Sequence, residues 1–150
     1  MSGPIAAISG TVLDMLTDPD ARTALIIEDD ADVRQLLVMT LGMSGFTTME
    51  AENGRQGVAL ARERQPDLVT LDLNLPDMSG IDILARIKQD ERVKRAPVVV
   101  LTTTDDQREI QRCYDLGCNV YITKPVEYET FAQAIRQLGL FLSVMQVPEG

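Results

Sequence analysis

Short apolar runs alternate with amphipathic stretches along this chain. Residues 24–27, 68–71, 98–101 and 120–122 are apolar and rich in branched side chains, and polar or turn residues bound each run. Such runs are typical of strands that are buried on both faces of a parallel sheet. A weaker run at residues 46–49 predicts one more strand.

The stretches that separate these runs have helical periodicity. The first carries apolar residues at helical spacing, and Gly42 and Gly45 are expected to end it. Ser79 and Asp82 have the spacing of a capping box, which predicts the start of a helix. Five strands in strict alternation with helices predict an α/β fold, a doubly wound five-stranded parallel sheet with helices on both faces.

Polar side chains follow four of the predicted strands. Glu28 and Asp29 follow the first strand, Asp72 ends the third, Thr102 follows the fourth and Lys124 follows the fifth. In the flavodoxin-like strand order 2-1-3-4-5, the first and third strands lie side by side at the switch point, where ligands bind beyond the carboxyl ends of the strands. We therefore expect these five side chains to converge at one edge of the sheet.

Composition narrows the classes of function. The chain has 150 residues, which suits one domain, and a formal net charge of −9, which argues against direct binding of nucleic acid. It has two cysteines and no histidine, so a zinc site is not expected and the cysteines are interpreted as reduced and structural.

The ends of the chain carry no recognisable chemistry. Residues 1–22 are interpreted as a flexible extension, residues 23–143 as the domain and residues 144–150 as a tail. Two alternatives for the extension are a short helix used in dimerisation and a start site that was chosen too early in the sequence. The sequence shows neither a membrane-spanning run nor a signal peptide, so we expect a cytoplasmic protein without a membrane partner.

The predicted cluster of acids suggests metal-assisted chemistry. Three neighbouring carboxylates repel one another, and a divalent cation removes that repulsion. Mg²⁺ prefers oxygen ligands of this kind. An aspartate such as Asp72 can act as a nucleophile toward phosphorus, with Lys124 and the hydroxyl of Thr102 available to the phosphoryl group.

Taken together, these residues resemble the receiver domain of two-component response regulators, of the single-domain, CheY-like kind. The resemblance extends over about residues 23–143. It rests on five motifs that occur in the right order on the right predicted elements: the acids 28–30, Asp72 with Asn74, Pro76 and Gly80, then Thr102, Tyr121, and Lys124 with Pro125.

The resemblance implies a phosphoacceptor and a metal. Asp72 would accept a phosphoryl group from a sensor histidine kinase. Glu28 and Asp29 would hold Mg²⁺, Asp29 more directly, together with Asp72 and the backbone carbonyl of Asn74. The protein would then be a signalling protein that catalyses only its own phosphorylation and dephosphorylation.

The resemblance also implies a switch. Thr102 and Lys124 would bind the phosphoryl group, and Tyr121 would turn inward when Thr102 moves, although the strand pattern alone is equally typical of a packing tyrosine. The bond between Lys124 and Pro125 would be cis. Thr103 departs from the small residue usual at its position and is expected to restrict access to Asp72, which bears on the lifetime of the phosphate.

The final third of the chain is similar to a narrower group. Residues 113–121 and 140–148 resemble the small regulators paired with bacterial and cyanobacterial phytochromes, which implies a phytochrome-type kinase and a lone, often dimeric receiver. The last helix has more apolar positions than one buried stripe requires. They predict either a dimer or partner face or a tail that folds back on its own domain, and the face would contain Phe131, Leu138, Phe141 and Met145.

Other functions remain open at this point. A pseudo-receiver would have the fold without the phosphorylation, and a phosphorelay intermediate would use the same chemistry with a phosphotransfer partner. A phosphohydrolase of the haloacid dehalogenase type needs a second acid two residues after the nucleophile, where this chain has Asn74.

Overall fold

The fold alternates five strands with five helices. The structure, a computed structural model, describes the backbone of residues 22–146 and the side chains of residues 22–137. The predictions for residues 1–21 and 147–150 lie outside the described part. In chain order the elements are β1 (Arg22–Ile27), α1 (Ala31–Met43), β2 (Phe46–Ala51), α2 (Gly54–Arg64), β3 (Leu68–Asp72), α3 (Gly80–Gln89), β4 (Val98–Thr102), α4 (Gln107–Leu116), β5 (Val120–Thr123) and α5 (Tyr128–Gln146).

All five strands are parallel, in the order β2-β1-β3-β4-β5, which confirms the predicted topology. β3 lies between β1 and β4, with Asp72 opposite Leu101 in the register. Because the strands share one direction, their carboxyl ends lie at the same edge of the sheet. That edge therefore collects the loops after β1, β3, β4 and β5.

Two hydrophobic cores cover the two faces of the sheet, because alternate residues of a strand point to opposite faces. Leu25, Val69 and Val100 point toward α2, α3 and α4. Ala24, Leu68, Val99 and their neighbours pack against α1 and α5. Burial on both faces explains why β1, β3 and β4 read as continuous apolar runs rather than alternating ones.

Several helix ends differ from the sequence prediction. α1 continues through Gly42 to Met43, and the chain turns at Gly45 with a φ of 96°, so Gly42 does not end the helix. Ser79 precedes α3, but its side chain makes no capping hydrogen bond, so the predicted capping box is wrong in its chemistry. Asp106 caps α4, because its side chain accepts a hydrogen bond from the amide of Arg108.

Cys113 and Cys118 are both buried and unpaired. Burial, together with the neighbouring Cys113, raises the pKa of the Cys118 thiol to about 12. Their packing in the core agrees with the structural role expected for them. Within residues 22–146, none of the helices has the length and hydropathy needed to cross a bilayer.

Candidate functional site

The carboxyl edge of the sheet brings three acids together. Glu28 follows β1, Asp29 comes next, and Asp72 ends the neighbouring strand β3. One carboxylate oxygen from each lies within 4.8 Å of the others. Glu28 and Asp72 are 0% and 1% exposed, whereas Asp29 lies at the surface. Two buried carboxylates this close carry an electrostatic cost that a cation must relieve.

Lys124 supplies part of that positive charge. Its Nζ lies 3.1 Å from Glu28 Oε2 and 3.1 Å from Asp72 Oδ2. Burial favours the neutral amine, but the hydrogen bond to Asp72 and the charges of Glu28 and Asp72 outweigh burial and raise the pKa of Lys124. Lys124 is therefore held protonated between the two acids. The bond between Lys124 and Pro125 is cis, as the resemblance implied.

Glu28 remains incompletely neutralised. Burial and the negative charge of Asp72 raise the pKa of Glu28 from 4.5 to about 7, although the amide of Asp30 and the charge of Lys124 oppose the shift. Its Oε2 accepts hydrogen bonds from Asp30 and Lys124, but its buried Oε1 has no hydrogen-bond partner among the described residues. Buried polar atoms are rarely left unpaired. A hard divalent cation fits this set of carboxylate oxygens.

The loop after β3 is ordered around Asp72. Asp72 Oδ1 accepts a hydrogen bond of 2.8 Å from the amide of Asn74. Gly80, at the start of α3, packs so closely on Leu73 that a Cβ atom would clash with the backbone of Leu73. A glycine at that position therefore lets the loop close over the end of the strand.

Thr102 and Thr103 border the site from β4. Thr102 is buried, and its hydroxyl oxygen accepts a hydrogen bond of 3.0 Å from the amide of Thr104. Thr103 is exposed, and both its amide and its hydroxyl donate to Asn74 Oδ1 at 3.3 Å. Thr103 and Asn74 thus connect the two loops beside Asp72. The predicted effect of Thr103 on phosphate lifetime stays a prediction.

Tyr121 lies half-buried on the face covered by α4. Its ring packs edge-to-face on Tyr114, with ring centroids 5.8 Å apart and an interplanar angle of 80°. This geometry is a favourable aromatic contact. It places Tyr121 beside the helix that follows the Thr102 loop, and its role as a switch stays a prediction.

Two residues of this region had no signal in the sequence. Arg34, one turn into α1, donates from Nη1 to the carbonyl oxygen of Glu28 at 2.8 Å and from Nε to Glu50 at 3.1 Å. Asp77 accepts hydrogen bonds from the amides of Gly54 (2.8 Å) and Arg55 (3.0 Å) at the start of α2. Both side chains fix loops around the site through partners that are distant in sequence, which periodicity cannot reveal.

The predicted dimer face needs a correction. Phe131 is 0% exposed and packs in the core under α5, so it cannot belong to an exposed partner face. This helix has two adjacent apolar rows, and Phe131 of one row and Ile135 of the other are both buried against the sheet. The side chains of Leu138, Phe141 and Met145 lie outside the described residues.

The fold and this site define a class: a parallel α/β module with an acid cluster and one lysine at the switch-point edge. The sequence matches the response regulator receiver domain over residues 24–136, and the chain belongs to that family. Receiver domains are signalling modules that sensor histidine kinases phosphorylate. The family membership confirms the resemblance seen in the sequence at the level of the receiver domain.

Individual relatives agree with this assignment. The phosphate regulon transcriptional regulatory protein PhoB of Pseudomonas aeruginosa is 38% identical over 104 residues, which cover 69% of this chain and 45% of PhoB. The polar-differentiation response regulator DivK of Brucella anthropi is 30% identical over 115 residues, 77% of this chain and 94% of DivK. The chain therefore spans about half the length of PhoB but nearly all of DivK.

Solved structures show the same fold. The crystal structure of a response regulator receiver domain from Rhodospirillum rubrum has 52% sequence identity and a TM-score of 0.67, covering 85% of this chain and 97% of that one. The Mn²⁺-bound form of response regulator Rcp1 has 30% identity and a TM-score of 0.65, covering 80% of this chain and 93% of that one. The second of these relatives binds a divalent cation.

Proposed function

We propose that this protein is a phosphoacceptor switch in which Asp72 receives a phosphoryl group from a sensor histidine kinase. The observation that supports this proposal best is the pair of Asp72 and Lys124 beside a Glu28 oxygen that has no partner in the described part of the chain. A purely structural acid would be expected to use its oxygens on backbone amides. Glu28 and Asp72 each accept one hydrogen bond from a backbone amide, but each also faces Lys124 at the ligand-binding edge of the sheet.

The residues present can carry out the transfer. A carboxylate oxygen of Asp72 forms a bond to phosphorus while the bond from phosphorus to the kinase histidine nitrogen breaks, and that nitrogen keeps the electron pair. The product is an acyl phosphate on Asp72. Lys124 lies against Asp72 Oδ2, so its ammonium group is close enough to pair with the negative oxygens of the incoming phosphoryl group. Thr102 still has its hydroxyl proton to donate, because its oxygen acts only as an acceptor toward Thr104.

The metal site follows from the same set of ligands. Glu28, Asp29, Asp72 and the backbone carbonyl of Asn74 would hold Mg²⁺. When bound, the cation supplies positive charge that neutralises the acids and the oxygens of the transferring group. The Mn²⁺-bound form of Rcp1, which is 30% identical, supports a divalent cation in this fold.

The partners and the output are proposals of narrower scope. We infer that phosphorylation changes contacts with other proteins through the Thr102 loop and α4, since added charge at Asp72 biases an adjacent mobile element. The resemblance of residues 113–121 to phytochrome-associated regulators supports a phytochrome-type kinase as the donor in the cytoplasm. Transfer from such a kinase to the purified chain would be compared with transfer from an unrelated histidine kinase.

The direct test is intact mass after incubation with acetyl phosphate and Mg²⁺. We expect a gain of about 80 Da, one phosphoryl group, that disappears when EDTA replaces Mg²⁺. Asp72→Asn should show no gain, whereas Asp67→Asn, which changes an acid at the opposite edge of the sheet, should be labelled normally. A folded wild-type protein that takes up no phosphoryl group would support the pseudo-receiver alternative instead.

A further inference from the structure

A basic groove lies between α2 and α3, apart from the acid cluster. It has a volume of about 470 Å³. Three of its lining residues are arginines, two are small or branched apolar residues of α2, and one is a methionine from the loop before α3: Arg55, Arg62, Arg86, Val58, Ala59 and Met78. No function assigned above uses this groove.

The charge of the groove is not cancelled by its surroundings. Its lining has no acidic residue. Asp90 accepts a hydrogen bond from Arg62 Nε at 3.1 Å, but the same carboxylate is shared with Arg92. Asp77, at the other end, accepts hydrogen bonds from two backbone amides at the start of α2, and its charge offsets part of the charge of Arg55. Arg86 has no ion-pair partner among the described side chains. In a chain of net charge −9, this groove is a local concentration of positive charge.

The arginines are spaced for two separate anionic groups. Arg55 and Arg62 are seven residues apart on α2, so they lie on the same side of the helix about 10 Å from each other. Ala59 lies between them and leaves the middle of the groove open, while Val58 and Met78 provide an apolar floor. Arg86 faces them from α3. Guanidinium groups bind phosphates and carboxylates through paired hydrogen bonds and stack on flat rings.

The volume decides what kind of occupant fits. Three turns of an α-helix about 10 Å wide fill roughly 1,200 Å³, which exceeds this groove more than twofold. Small-molecule sites typically measure about 300–1,000 Å³. We propose that the groove between α2 and α3 binds a small molecule that carries two anionic groups, phosphates or carboxylates, joined by a flat or apolar part. This binding does not depend on phosphorylation of Asp72.

The test is calorimetric titration of the whole chain at 150 mM salt, after metal has been removed from the protein and buffers on a chelating resin that leaves no soluble anion behind. Terephthalate presents two carboxylates and 1,4-phenylene bisphosphate presents two phosphates, each pair joined by a flat ring, and hydroquinone presents the ring alone. We expect saturable one-to-one binding of terephthalate, 1,4-phenylene bisphosphate or both, and none of hydroquinone. The stronger of the two anions identifies the phosphate or the carboxylate class.

The variants locate the binding. Arg86→Gln should weaken it at least tenfold, and Arg55→Gln should do the same. Arg64→Gln is the matched control, because Arg64 is exposed on the same helix but does not line the groove. The proposal is overturned if neither anion binds at millimolar concentration, or if Arg64→Gln weakens binding as much as Arg86→Gln does. Equal binding by Asp72→Asn would show that the acid cluster is not the site.

Discussion

The two edges of the sheet use similar side chains in opposite ways. At the amino edge, Asp67 accepts a hydrogen bond from the amide of Thr23 at 2.8 Å, and Asn119 accepts one from the amide of Val98 at 2.9 Å. At the carboxyl edge, Glu28 and Asp72 both face Lys124, and a buried oxygen of Glu28 is unpaired within the described structure.

This difference separates polar groups that complete the fold from polar groups that are available for chemistry. Glu28 and Asp72 also accept a hydrogen bond from one backbone amide each, so what distinguishes them is that two buried carboxylates share one lysine. A cluster of acids with one lysine is incompletely neutralised, which is expressed in the raised pKa of Glu28, about 7. Because the single lysine does not balance the charge of the acids, the carboxyl edge is the candidate site for binding a cation.

The largest expected effect comes from removing the lysine. Lys124→Met keeps most of the apolar stem but leaves Glu28 and Asp72 buried without a cation. We expect the free energy of unfolding in EDTA to fall by about 2–3 kcal/mol, somewhat below the cost of breaking a fully buried pair, since Lys124 is 15% exposed.

Metal should compensate for that loss in part. Urea denaturation of Lys124→Met with and without Mg²⁺ is expected to show a larger stabilisation by the metal than wild type shows, because the cation replaces the missing charge. Unchanged stability of Lys124→Met in EDTA would mean that the two carboxylates are already neutral, and the description of the site would be wrong.

A smaller effect is expected at the amino edge. Asn119→Ala removes the acceptor of the Val98 amide and should lower the free energy of unfolding by about 1 kcal/mol. The stabilisation by Mg²⁺ and the labelling by acetyl phosphate should both stay unchanged in this variant. Asn119→Asp keeps an acceptor oxygen and serves as the control in the same denaturation series. A change in labelling by Asn119→Ala would contradict the division between the two edges.

The smallest effect is expected at Asp77, on the border of the site. Hydrogen bonds from the amides of Gly54 and Arg55 lower the pKa of Asp77. A carboxyl group whose pKa is lower in the folded state stabilises the fold above its ordinary pKa, and that contribution is lost as the pH falls through the lowered value. Asp77→Asn should therefore lose less thermal stability than wild type does below about pH 4. Parallel melting curves from pH 5 to pH 3 compare the two proteins, and an identical dependence of the melting temperature on pH would contradict a stabilising role for the charge of Asp77.

The regular patterns of the sequence predicted the fold, whereas several individual side-chain contacts could not be predicted from them. The alternation of strands and helices predicted a parallel sheet, and the strand order of the flavodoxin-like class, applied to it, placed Glu28, Asp29 and Asp72 together correctly. Ser79 fitted a capping motif but makes no cap, because a motif states which residues can bond and not whether their geometry allows it. Phe131 was assigned to the wrong face for a similar reason, since two adjacent apolar rows are equally compatible with burial.

The sequence by itself determined the elements, their order and the edge where the polar residues meet, because hydrophobic periodicity and the parallel arrangement are properties of the pattern. Only the tertiary structure decided which oxygen of Glu28 is without a partner among residues 22–137, that Lys124 bridges two acids, and that three arginines line one groove. Lys124 and Glu28 are 96 positions apart, and their contact depends on packing distances between loops. Local sequence contains no measure of those distances.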